Sequence, residues 1–167
     1  MTVRKKLSDL PVEEFFGWLP LGALALMALN DHFLRLRYPG VVTGKISDFC
    51  VLLFFPALLT ASCDLLLFIA DVVARAVSRG RVSVPYRLTK LKVILSAVLS
   101  GLILAMINIS VPARDLLLGV ASRLDVFHLF RAFRVTMDAT DLVALVVLPL
   151  SVWWGYRVVD RQSARTA

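Results

Sequence analysis

The chain has 167 residues, of which 59% are hydrophobic and 19% charged, with a net charge of +7 and a mean hydropathy of +0.79. A soluble domain sits nearer half apolar, so composition points to a lipid-embedded chain. The basic balance is no sign of nucleic-acid binding, because no basic stripe or aromatic platform accompanies it.

Four stretches are candidates to cross a bilayer, each near the ~20 apolar residues that a spanning helix needs. The first runs from about residue 15 to residue 30. Arg4, Lys5 and Lys6 precede it, as in a secretory leader. Asp9, Glu13 and Glu14 interrupt that pattern, and Asn30-Asp31-His32 stands where small residues would mark cleavage, so the segment reads as a span. The second runs over 49–70 and contains one strongly polar residue, Asp64. That acid is expected near the inner edge of the bilayer, paired with Lys90 or Lys92. Cys50 and Cys63 share this helix about 20 Å apart and cannot pair within it. The third span, 93–111, is uncharged, and Ser96, Ser100 and Gly101 allow close helix contact. After Pro112, apolar residues at Leu116, Leu117, Val120, Leu124 and Phe127 recur at helical spacing, predicting a short amphipathic helix in the outer interface. The fourth span covers 142–156 and ends on Trp153, Trp154 and Tyr156, which read as interfacial anchors, as does Trp18 in the first.

Lys and Arg fix the orientation. With four spans, 12 of the 19 basic residues fall on the side of the termini and the 71–92 loop, and 7 fall on the other side. Both termini are therefore expected in the cytoplasm.

The chain also repeats itself. Val42-Thr43-Gly44-Lys45-Ile46-Ser47-Asp48-Phe49, followed by Leu52 and Pro56, matches Val135-Thr136-Met137-Asp138-Ala139-Thr140-Asp141-Leu142, followed by Leu145 and Pro149. The shared pattern is V-T-x-x-x-S/T-D-F/L-x-x-L-x-x-x-P. An even number of spans per copy keeps both in one orientation, so the expected architecture is a single all-α membrane domain over 1–167. It comprises four transmembrane helices as two parallel two-helix repeats, about 1–77 and 78–167, with the short outer helix between the third and fourth spans. Ser47 and Thr140 read as N-caps, with Asp48 and Asp141 in the first turn, favoured by the helix dipole. Gly44 would supply a turn with positive φ.

Capping leaves Lys45 unexplained. The expected outer side gathers Asn30, Asp31, His32, Lys45, Ser47, Asp48, Asp138, Thr140 and Asp141, with Asn108, Asp125 and His128 nearby. Asp and His bind divalent metals or perform acid–base work, so Asp31, His32 and His128 are the metal candidates. No zinc spacing, nucleophile elbow or cofactor fingerprint is present, and no catalytic residue or cofactor is assigned. Lys45 is the only cation in the two motifs and is expected to bridge to an aspartate.

These motifs resemble the signatures of uncharacterised small bacterial integral membrane proteins, in which N-D-H, T-G-K-L-S-D-F and D-P-T-D-L-x-A-L are expected. The resemblance covers roughly 30–56 and 135–149, with Ile46 in place of Leu and Ala139 in place of Pro. It implies a multi-pass protein of the bacterial inner membrane and carries no activity. Three functions compete. One is a non-catalytic subunit or assembly protein, bound to lipid and to a membrane protein or a second copy. The second is a small transporter or metal- or ion-binding protein. The third is an intramembrane Asp/His enzyme. Ionisable groups at the helix ends rather than the midplane favour the first.

Overall fold

The computed structural model describes residues 12–38, 40–78, 87–124 and 139–165. Among them the structure is helical, with no strand. Six α-helices follow in order: α1 (Trp18–Leu29), α2 (Arg35–Arg37), α3 (Val41–Val77), α4 (Lys90–Ile109), α5 (Val111–Leu124) and α6 (Leu148–Ala164). A π-helical turn, Asn30–Leu34, joins α1 to α2, and a 3₁₀ segment, Ala139–Val147, leads into α6.

Three helices are long and apolar enough to cross a membrane: Val41–Val77, Lys90–Ile109 and the combined Thr140–Ala164. Only 28–39% of their most apolar windows is buried inside the bundle. Apolar residues such as Leu66, Leu99, Leu102 and Val146 point outward. This arrangement is compatible with a membrane protein, in which lipid covers what the bundle does not. The first apolar stretch yields 12 α-helical residues in α1 and then continues without a break through the π turn into α2.

Helix α3 is the centre of the molecule, packing against α1, α4, the 3₁₀ segment and α6. Its 37 residues extend about 56 Å, well beyond a ~30 Å hydrocarbon core. It starts earlier than the expected Ser47 cap. Gly40 is extended, its N–H donates to Thr43 Oγ1 at 3.2 Å, and the Thr43 hydroxyl sits 2.9 Å from Gly40 O. Thr43 therefore satisfies the helix start. Ser47, Asp48 and Gly44 all lie inside the helix, and Gly44 supplies no left-handed turn. In the second copy, Thr140 and Asp141 do open a helix, but a 3₁₀ one. Pro149 stands in the first turn of α6, where its missing N–H is harmless.

Small residues let the helices close. A Cβ at Gly155 of α6 would lie 2.5 Å from Val93 Cγ1, and one at Gly101 of α4 would lie 2.9 Å from Leu148 Cδ1. Gly17 admits the Trp154 indole, which a Cβ there would meet at 2.0 Å. Trp154 is thus a core residue with Leu19, Leu88, Val93 and Val158, rather than the interfacial anchor its position suggests. Trp18 and Trp153 are exposed. Cys50 is buried, Cys63 is exposed, and both are free thiols.

Candidate functional site

Two polar centres lie along the central helix, one near its start and one about two thirds of the way along it. The first is built by the π turn. In a regular α-helix, neighbouring residues diverge by about 100°. Here both Asn30 and Asp31 reach the same hydroxyl on α3. Asn30 Nδ2 donates to Ser47 Oγ at 2.8 Å, and Ser47 Oγ donates to Asp31 Oδ1 at 2.6 Å. A widened turn of the π type re-aims side chains in this way. Asn30 has no exposed surface, and its Nδ2 also donates to Thr43 O at 2.6 Å. That carbonyl can only accept, which fixes the orientation of the amide. Asn30 Oδ1 is then buried without a protein partner. Arg35 approaches Asp31 at 4.0 Å from the exposed side.

Lys45, one face around α3, extends to the other motif copy. Its Nζ donates to Thr140 Oγ1 at 2.7 Å and to Asp141 Oδ1 at 3.3 Å. The structure thus brings together Asn30, Asp31 and Ser47 in one network, and Lys45, Thr140 and Asp141 in a second. Asp48 is half-buried on α3, one turn beyond Lys45. His32 joins neither network. It is exposed, and its Nδ1 lies 3.0 Å from Ala28 O, so that nitrogen carries the proton. Asn108 is buried and donates to Leu104 O within its own helix. Asp138, Asp125 and His128 lie outside the described residues. Among the described residues, no three His, Cys, Asp or Glu side chains converge to hold a metal.

The Ser47 proton goes to Asp31, and its lone pair takes the Asn30 amide. Among the described residues, no imidazole stands beside it. What the described side chains make here is a set of hydrogen bonds between helices.

The second centre, about 26 Å along α3 from Ser47 at Asp64, is charged. Asp64, 1% exposed, forms an ion pair with Lys92 of α4, whose Nζ also donates to Arg87 O at 3.1 Å. Sequence reading reached Asp64 and its cation but missed Glu14. That acid precedes α1, is 2% exposed and has Oε1 buried without a protein partner. Trp154 Nε1 donates to its backbone carbonyl at 3.0 Å. A cavity of about 10 Å³ adjoins the carboxyl and is lined also by Thr60, Ser96 and Ser151. Burial pushes the Glu14 carboxyl up to about 7 from 4.5, with Asp64 adding to the rise. A backbone hydrogen bond, Thr60 and Lys92 oppose it. The only cue in sequence is an acid beside an apolar run. It reads as solvated because the packing that buries it comes from distant helices.

Comparison with protein-family models, curated proteins and solved structures gives no match.

Proposed function

We propose that this chain is a four-span integral membrane protein of the bacterial inner membrane with both termini cytoplasmic. In this reading it acts as a non-catalytic subunit or assembly protein. The continuous helical path through α1, the π turn and α2 supplies the first span, and α5 lies in the outer interface. The contact of Lys45 with Thr140 and Asp141 supports a parallel repeat, since it joins the two motif copies at one end. The motif resemblance supports the bacterial membrane placement.

One observation carries the non-catalytic reading: the Ser47 hydroxyl is held between Asn30 and Asp31 while His32 turns away to Ala28. The polar groups at that end tie helices together. Exposed apolar side chains beside them, Phe33 and Leu36, offer a surface to a neighbouring membrane protein or a second copy. A photocrosslinking residue placed at Phe33 or Leu36 should give one discrete protein adduct in native membranes, whereas one at Leu99 should label lipid. Absence of any protein adduct at both positions would refute the subunit reading. Topology is tested by cysteine labelling in a variant lacking Cys50 and Cys63. Positions 78 and 166 should react from one side and position 40 from the other. A shared side for 40 and 78 would refute four spans.

The transporter or ion-binding alternative has an observation of its own in the buried Glu14 carboxyl.

A further inference from the structure

One outward edge of the last apolar helix changes character along its length. Val146, Leu150, Trp153, Arg157 and Arg161 follow one another at three- or four-residue steps, so they share one face of the helical path. All five are exposed. The edge therefore passes from aliphatic to aromatic to cationic, in the order in which a phospholipid passes from acyl chain to glycerol to phosphate. At about 2.0 Å per residue through the 3₁₀ segment and about 1.5 Å through α6, Arg157 stands about 30 Å from Thr140 and Arg161 about 36 Å. A hydrocarbon core is about 30 Å thick, with the polar headgroups just outside it. With Thr140 at one boundary of the core, the two guanidiniums reach the headgroup level of the opposite leaflet.

The two arginines are held ready for a phosphate. The Arg157 guanidinium lies 4.2 Å from the Trp153 ring centroid, within cation–π range. A guanidinium over a ring still presents the donors in its plane, which match two phosphate oxygens at once. Arg161, about one turn further on, lies 5.8 Å from the Trp154 ring centroid. The neighbouring charges are engaged with other groups. Asp160 pairs with Lys90 at 3.1 Å, Glu13 pairs with Arg165 at 2.8 Å, and Arg87 donates to Gln162 O at 2.7 Å. Among the described residues, no carboxylate pairs with Arg157 or Arg161.

We propose that this edge holds one anionic phospholipid, its acyl chain along Val146 and Leu150 and its phosphate between Arg157 and Arg161. Charge makes the site select phosphatidylglycerol over phosphatidylcholine. Two guanidiniums face one phosphate, and Asp160 beside them is taken by Lys90, so a choline ammonium meets repulsion rather than a partner. The site rests on the membrane-spanning reading above and not on the subunit reading.

The test titrates the delipidated full chain in dodecyl maltoside with phosphatidylglycerol or phosphatidylcholine and reads the first lipid adduct by native mass spectrometry. Phosphatidylglycerol is expected to bind more tightly. Arg157→Gln and Arg161→Gln should each weaken its binding by about fivefold, and together by about 25-fold, with phosphatidylcholine little changed. Trp153→Leu should weaken it by about twofold to fivefold, through loss of the ring under Arg157. Arg75→Gln, which removes an exposed cation from α3, should leave it unchanged. The proposal is overturned if the double variant keeps the parent's preference, or if Arg75→Gln weakens binding as much, for then bulk charge decides. Displacement of the lipid by millimolar inorganic phosphate also overturns it, since the arginines would then hold a free anion. Carbonate extraction of phosphatidylcholine liposomes carrying the chain tests the membrane reading separately. Release of the chain overturns that reading and the lipid site with it, whereas a retained chain with equal affinity for both lipids overturns the lipid site alone.

Discussion

The acid before α1 makes stability depend on pH in an unusual direction. Glu14 has its carboxyl raised from 4.5 to about 7, chiefly by burial, with the Asp64 carboxylate adding to the rise. Between those two values the folded chain holds a proton that the unfolded chain has released. Stability is therefore highest below about pH 4.5, falls as pH rises through the window, and levels off above about 7. The displacement corresponds to about 3 kcal/mol across the window. Glu14→Gln keeps the size of the protonated side chain and removes the titration. In choline-based buffers, detergent unfolding of the two proteins should diverge steadily from pH 4.5 to 7, with the variant the more stable above pH 8. Other acids titrate in both proteins and cancel in the difference. Parallel curves for the two proteins would mean that Glu14 reaches water, and the buried-acid reasoning would fail.

Three further outcomes follow from packing and hydrogen bonding. Ser47→Ala removes both the acceptor of Asn30 and the donor to Asp31, and should cost about 1–3 kcal/mol. A thermal melt matching the parent would show that water replaces the hydroxyl. Lys45→Ala should destabilise by about 1 kcal/mol, more than Arg35→Ala. The reason is that Lys45 holds Thr140 and Asp141 at 26% side-chain exposure, while Arg35 stands 4.0 Å from Asp31 and is 45% exposed. Equal melting temperatures would place Lys45 in solvent. Gly155→Ala should cost about 1–3 kcal/mol by driving a Cβ to within 2.5 Å of Val93 Cγ1, and Val93→Ala should recover part of that loss. Strict additivity of the two substitutions in unfolding measurements would deny the contact.

Much of the helical framework was legible because apolar runs longer than a helix turn have few alternatives. The 49–70 and 142–156 runs fall within α3 and the 3₁₀ segment with α6, and the 93–111 run falls in α4 up to Ile109, its last two residues closing α4 and opening α5. The Asp64–Lys92 pair was legible for a related reason: an acid in an apolar helix requires a cation, and few stand within reach. Glu14 was not legible. Its neighbours Glu13, Phe15 and Phe16 look the same whether the carboxyl faces water or the bundle. What decides it is the approach of Trp154, allowed by Gly17 and 140 positions away in the chain.

The Thr43-to-Asp48 stretch shows how one local pattern admits two structures. Both Thr43 and Ser47 are good cap residues, and each precedes an apolar helix by the right spacing. Read locally, Ser47 is the stronger choice because Asp48 follows it and complements the dipole. The structure caps the helix at Gly40 instead, with the Thr43 hydroxyl accepting from the Gly40 N–H, and Val41 then opens the helix about two turns earlier. That choice releases the Ser47 hydroxyl from the backbone. Placed mid-helix, it meets the π turn and accepts from Asn30 while donating to Asp31. It also turns Lys45 toward the 3₁₀ segment, where Thr140 and Asp141 are held by the second copy of the motif. A shift of the helix cap by seven residues, from Ser47 to Gly40, therefore converts capping chemistry into contacts between helices. Such a shift is fixed by tertiary partners, which a single sequence does not display.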